Sequence, residues 1–410
     1  MVSNASGLSP ERLARIDDHF DQRFIEPRRI AGALTLVARR GEVAFCSPVG
    51  MMDIEREKPM QEDTIFRIYS MTKPITSVAL ITLYEEGRFQ LTDAVSRFIP
   101  AWRDQRVFVS GNHPTHMTAP VERPMTVRDL MSHQSGLTYG FSNRTNVDAA
   151  YRSLGFGAAT AGAGEPREYT LSEMVEGLAE VPLEFSPGKK RNYSVSTDIL
   201  GYLVEVISGQ PFDQYVQERV LDPLGMVDSG FSVPAEKVDR FAANYDRGVD
   251  KRLVLSDDPA TSSYLPPPAF VSRGGGMVAT AEDYWRFCQM LLNGGELNGE
   301  RILGPKTIEL MTMNHLADGK DLSAMAVGGF SETTNDGIGF GLGFAMVLDV
   351  AETQVSGSVG EYYWGGAAST IFWNDPSEDQ NVVFMTQLMP SGTFNFRGQL
   401  KQLVYSSIVD

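Results

Sequence analysis

Strand-like segments stand near both ends of this 410-residue chain, with a long helical stretch between them, and that order limits how a sheet can be built. Near the N-terminus, Ala33–Arg39 and Glu42–Cys46 flank Arg40-Gly41, a hairpin signal. From Thr92 to about Pro268 helical patterns alternate with long polar loops, notably residues 103–126 and 138–169. Within the second loop, Gly157–Gly164 is low in complexity and is expected to be mobile. From about Ala269 the chain reads as strand again: Gly337–Val347 alternates glycine with apolar residues, and Tyr362–Trp373 and Asn381–Leu388 are further strands. Residues 8–28 read as a helix with a Leu13, Ile16, Phe20, Phe24 stripe, and Phe396–Ile408 as a closing helix. The expected fold is α+β, with one antiparallel sheet built from both chain ends and flanked by helices. Residues 1–92 and 269–410 would form a discontinuous α/β domain, and residues 93–268 an inserted, mainly helical domain with cleft loops.

The bulk numbers exclude several classes. Hydrophobic content of 42% and charged content of 21% are those of a globular protein, and no run of eighteen apolar residues is present, so no membrane span is expected. Met1–Gly7 lacks the basic and apolar regions of a secretory signal. Cys46 and Cys288 each lie in an apolar stretch; two buried thiols in a reducing compartment are favoured over a lone disulfide, which points to the cytoplasm. A net charge of −16 argues against nucleic acid and anionic membranes as partners.

Ser70-Met71-Thr72-Lys73 puts a hydroxyl and an amine three residues apart, just before an apolar helix running from Pro74 to Gly87. Proline is tolerated only in a helix's first turn, so Pro74 sets the start near Ser70. Residues i and i+3 then share a face, and a neutral lysine there can take the serine proton during attack. The helix dipole disfavours charge on Lys73, and the free N–H of Ser70 becomes a candidate oxyanion donor. The spacing alone is weak, since about one or two S-x-x-K matches arise by chance in a chain this long. A second match, Ser186-Pro187-Gly188-Lys189, shows the contrast: Pro-Gly makes a turn, and Lys190-Arg191 suggest that it is basic and solvated. The alternative for Ser70 is a helix cap beside a surface lysine.

Two further segments supply what such a site needs. Tyr193 stands just before a helix, where its phenol can project into a cleft and, beside Lys73, act as a base or shuttle. Its plainer role would be aromatic packing. Trp364-Gly365-Gly366 opens a strand with small residues after it, allowing a ligand close to the backbone and making the Ala367 N–H a second oxyanion donor. The plainer alternative is a bulge in a core strand.

In their order and separation these segments resemble those of the serine hydrolases of the class C β-lactamase and DD-peptidase fold. Ser70-Met71-Thr72-Lys73 matches the S-x-x-K motif, Tyr193-Ser194-Val195 the tyrosine motif, and Trp364-Gly365-Gly366 stands in the place of Lys-Thr-Gly. Ser132–Leu137, Pro223–Ser229 and Arg273–Met277 resemble further landmarks, so the similarity spans nearly the whole chain. Val195 and Trp364 depart from the asparagine and lysine typical of β-lactamases. The Tyr-Ser-x and Trp-x-Gly variants look like family VIII carboxylesterases. The resemblance implies a β-lactamase/transpeptidase-like fold and a Ser70 acyl-enzyme. Lys73 and Tyr193 would be the base pair, and the backbone N–H groups of Ser70 and Ala367 the oxyanion hole. Trp364, Gly365 and Gly366 would contact a small, uncharged ester substrate, with no cofactor and no metal. A β-lactamase, peptidase or amidase on the same scaffold, an acyltransferase, and a silent binding protein are the alternatives. No G-x-S-x-G elbow is present; His133 beside Ser135 reads as a turn histidine, and His113 with His116 lacks helical metal-ligand spacing.

Overall fold

The computed structural model describes residues 6–156, 169–268, 270–328 and 336–410, so the low-complexity stretch Gly157–Gly164 lies outside the described residues. Its centre is an eight-stranded antiparallel sheet. β1 (Gly32–Arg39), β2 (Glu42–Asp53) and β3 (Lys58–Pro59) come from the N-terminal side. β4 (Ile338–Phe340), β5 (Ala345–Val347), β6 (Tyr362–Gly365), β7 (Ile371–Asp375) and β8 (Gln380–Thr386) come from the C-terminal side. The spatial order is β4-β5-β6-β7-β8-β1-β2-β3, and the register from Ala33 opposite Thr386 to Arg39 opposite Gln380 joins the two chain ends.

The helices that frame the site and the sheet are α1 (Arg15–Phe20), α2 (Thr72–Glu85), α3 (Ser196–Ser208), α4 (Ala281–Leu292) and α5 (Phe396–Tyr405). Successive β1 side chains point to opposite faces. Ala33 and Val37 join Phe20, Phe24, Trp373, Phe384, Phe396 and Leu400 on one face; Leu34, Leu36 and Ala38 join Phe287, Met290, Phe372 and Val383 on the other. Burial on both faces is why β1 is apolar at nearly every position. Phe20 stacks on Phe384 at 5.0 Å, tying α1 to the sheet, and α2 packs against α3 beyond the other face.

The structure corrects several expectations from the sequence. The region after Ala269 is not strand throughout. Thr280 accepts a hydrogen bond from Asp283 N and starts α4, which buries Tyr284, Phe287, Cys288 and Leu291, a helical spacing. Gly337–Val347 is two strands, β4 and β5, joined through Gly343 at φ +102°. Tyr362–Trp373 likewise divides into β6 and β7 around residues 366–370, where Ser369 has φ +65°. Alternation is the same before and after a tight turn, so pattern alone runs across it. Residues 103–126 contain a hairpin, Arg106–Ser110 against Met117–Pro120. Asn244–Arg247 and Leu253–Asp257 also pair, and Leu388-Met389 runs parallel to the first of them. Cys46 and Cys288 are both free, the first half-buried and the second buried. Among the described residues no helix is long and apolar enough to cross a membrane.

Candidate active site

A 3₁₀ turn, Tyr69–Met71, leads into α2 and places Ser70 at its mouth, with Pro74 in the helix's first turn as its chemistry requires. Tyr69 is buried with φ +41°, a left-handed conformation that a bulky side chain adopts only when its surroundings enforce it. Here they do. Phe66-Arg67 pairs with Val278-Ala279, Ile68 N donates to Met277 O at 3.1 Å, and Tyr284 Oη on α4 donates to Met71 O at 2.9 Å. α2 is buried along all but its last turn, so the nucleophile segment rests on the core.

Lys73 lies one turn on and is 3% exposed. Its Nζ donates to Gly274 O at 2.5 Å and to Ser70 Oγ at 3.3 Å. Tyr193 Oη donates to Ser70 Oγ at 2.7 Å, and Lys73 Nζ sits 4.7 Å from the Tyr193 ring centroid. The three polar side chains expected from the sequence therefore meet at one hydroxyl. The second S-x-x-K does not: Ser186 Oγ accepts from Glu122 N, Gly188 turns at φ +84°, and exposed Lys189 pairs with Glu122. One part of that turn needs correcting. Arg191 is not solvated; it is 4% exposed and packs 4.4 Å from the Phe340 ring centroid.

The loop bearing Tyr193 is fixed by the Ser132–Leu137 turn and the residue after it. Asn192 N donates to His133 O at 2.9 Å, Asn192 Nδ2 to Leu137 O at 3.0 Å, and Val195 N to Thr138 O at 3.3 Å. Ser135, Ser196 and Ser194 form a buried hydroxyl chain with 2.8 Å links, and His133 Nδ1 lies 3.3 Å from Ser194 Oγ. Burial, with the charges of Arg191 and Lys73, pushes His133 well below the usual imidazole range. It is a neutral turn residue at φ +56°, packed 5.1 Å from the Tyr193 ring.

Trp364 on β6 is half-buried, 5.6 Å from the Tyr193 ring and 5.3 Å from that of Phe340. Gly365 pairs with Ile371. At Gly366 a β-carbon would lie 2.4 Å from Ile68 O and 2.3 Å from Thr370 Oγ1, so only glycine lets this turn approach the strand that delivers Ser70. Ala367 follows, its carbonyl accepting from Ser391 N at 2.8 Å.

Sequence reasoning missed a fourth contributor. Asp198 Oδ1, in the first turn of α3, accepts from Arg273 N and Gly274 N at 3.1 and 3.2 Å, which aims the Gly274 carbonyl at Lys73. A β-carbon on Gly274 would sit 3.1–3.4 Å from Asp198 Oδ2, Lys73 Nζ and Tyr139 Oη, so these groups converge there. Its position five residues after Tyr193, in a first helical turn, was the available signal. Among the described residues no group of three or more His, Cys, Asp or Glu is arranged to hold a metal ion.

A serine bonded by a lysine one turn on and by a tyrosine from a distant segment, beside an antiparallel sheet covered by helices, defines a serine hydrolase of β-lactamase/transpeptidase-like fold. The Beta-lactamase family matches residues 17–405, and the chain belongs to that family. It is similar to Protein Rv1367c of Mycobacterium tuberculosis, 35% identical over 364 residues covering 88% of this chain and 86% of that protein. It is also similar to Esterase EstB of Burkholderia gladioli, 32% identical over 394 residues covering 92% of this chain and 91% of that one. Among solved structures, EstCE1, a hydrolase with promiscuous acyltransferase activity, superposes with a TM-score of 0.79 at 27% identity, covering 99% of this chain and all of that one.

Proposed function

We propose that the protein is a carboxylesterase acting on small, uncharged esters through a Ser70 acyl-enzyme. The observation that carries the reading is the Ser70 hydroxyl, bonded by Tyr193 at 2.7 Å and Lys73 at 3.3 Å. Ser70 Oγ attacks the ester carbonyl while its proton passes to the Lys73–Tyr193 pair. The backbone N–H groups of Ser70 and Ala367 hold the oxyanion, each contributing about 3 kcal/mol. The proton then moves to the departing alkoxide, releasing the alcohol. Water, deprotonated by the same pair, attacks the acyl carbon and frees the acid and Ser70.

Trp364 supports the ester over the lactam, because strand β6 brings an indole rather than a cation toward the acyl or alcohol group. Similarity to Esterase EstB and EstCE1 supports the same class. Ser70 and Lys73 belong to the proposed discontinuous domain of residues 1–92 and 269–410, and Tyr193 to the inserted one of residues 93–268. Two free cysteines favour a cytoplasmic setting. A panel of p-nitrophenyl esters of rising chain length, run beside a chromogenic cephalosporin, tests the reading. Faster turnover of short- or medium-chain esters is expected; faster turnover of the cephalosporin would overturn it in favour of a β-lactamase.

A further inference from the structure

Among the described residues Arg191 has no carboxylate as a counter-ion, and its Nε and Nη2 have no hydrogen-bond acceptor, although the side chain is 4% exposed. Leaving guanidinium donors buried and unmet is costly, and such a group calls for a reason. Burial pushes Arg191 down to about 10, so it stays charged near neutral pH. Its backbone is pinned on both sides, Arg191 N donating to Met325 O and Val327 N to Arg191 O, each at 2.9 Å. Arg191 forms an isolated bridge with Ala326, and its guanidinium lies beside the ring of Tyr193, two residues on. The guanidinium carbon lies 4.4 Å from the Phe340 centroid, 5.7 Å from Tyr193 and 5.8 Å from Trp364.

We propose that Arg191 acts through Tyr193, stabilising negative charge on the phenolic oxygen that takes the Ser70 proton. The inference rests on Tyr193 serving as base. In the active form the phenolate accepts the proton as the bond from Ser70 Oγ to the carbonyl carbon forms, and the proton later leaves on the alcohol. A phenol gains only a cation–π contact from the guanidinium, whereas a phenolate gains a full opposite charge in a dry setting, so the interaction grows as the base forms. Other ionisable groups also stand near Tyr193 among the described residues. Lys73 from α2 is 4.7 Å from its ring and is itself part of the proton relay; His133 is neutral; Tyr139 is 5.4 Å away. Asp198 from α3 accepts from Arg273 N and Gly274 N, and Tyr363 of β6 is a further ionisable group near Arg191. Among the described residues strand β6 presents Trp364 here, and Arg191 brings a positive charge.

The test is the pH profile of kcat/KM for p-nitrophenyl butyrate in wild type, Arg191→Met, Arg191→Gln and Arg191→Lys. Without the charge, the acid limb moves to higher pH by about one unit, and the alkaline plateau returns to within about threefold of wild type. Arg191→Lys keeps the limb near its wild-type position. Arg191→Gln keeps N–H donors without charge and serves if Arg191→Met fails to fold. A limb that stays put in the uncharged variants, or an equal loss at every pH, overturns the inference. Tyr193→Phe separates the two ideas: if it is inactive while the limb is unmoved, only the Arg191 role fails. If it is nearly fully active, the base assignment itself fails.

Discussion

Gly366→Ala is the sharpest structural test of how the site is held. The added β-carbon would stand 2.4 Å from the Ile68 carbonyl oxygen and 2.3 Å from Thr370 Oγ1. Non-bonded contacts settle near 3.5 Å, so one side must retreat by roughly 1 Å. Thr370 can rotate, but Ile68 O is backbone, two residues before Ser70, and its amide is tied to Met277 O. The displacement therefore falls on the nucleophile or on the turn carrying the Ala367 N–H. A misplacement of about 1 Å in a reacting group is worth around 10²-fold in rate, equivalent to about 2.7 kcal/mol of barrier. Overpacking should also lower stability by about 1–3 kcal/mol. The assay is kcat for p-nitrophenyl butyrate together with the thermal midpoint. Gly230→Ala serves as control, because its nearest neighbour would be an ordinary 3.8 Å away. If Gly366→Ala folds and keeps kcat within about threefold of wild type, the turn does not hold the nucleophile segment and the reasoning is wrong.

Other expectations follow from the same geometry. Tyr193→Phe should lower kcat by about 10²–10⁴ while leaving the melting temperature nearly unchanged; a near-wild-type rate would make Tyr193 a packing residue. Tyr284→Phe removes the 2.9 Å bond to Met71 O and should cost about 1 kcal/mol of stability, measured by urea denaturation, with a several-fold fall in kcat. Asp228 is held down to about 2 by hydrogen bonds from Arg240, with Lys237 adding to them, against 3.8 unperturbed. A depressed carboxylate stabilises the fold above its unfolded value and loses that contribution as pH falls through the folded one. Asp228→Asn should therefore lower the melting temperature at pH 6, with the deficit shrinking between pH 3.8 and 2; an equal deficit across that window would contradict the ion-pair account.

Much of this was legible in the sequence because it depended on local rules. Pro74 marked the start of α2 and Arg40-Gly41 the β1–β2 turn; the glycines after Trp364 read as room for a ligand, whereas Gly366 packs against the Ile68 carbonyl. Joining the two chain ends through β1 and β8 also followed from where the apolar runs lie. Most of what stayed hidden depended on tertiary contacts. The β4–β5 and β6–β7 turns break strands whose alternation continues on either side, so composition could not reveal them. α4 was overlooked although Thr280 and its helical stripe were present, because the glycine-rich strands beyond it coloured the whole C-terminal region. Arg191 read as solvent-facing because it follows two lysines; only the fold shows Phe340, Tyr193 and Trp364 closing over it. Asp198 orders a loop 75 residues away through Arg273 N, a contact no local pattern encodes.

The central claim is that Ser70 carries the acyl group, and covalent trapping tests it most directly. Wild-type protein treated with a p-nitrophenyl organophosphonate, then analysed by intact and peptide mass spectrometry, should carry one phosphonyl group on Ser70 and lose esterase activity in parallel. Ser70→Ala should fold, take no label and hydrolyse no ester. Label on another residue with activity lost, or ester hydrolysis persisting in Ser70→Ala, would contradict the account.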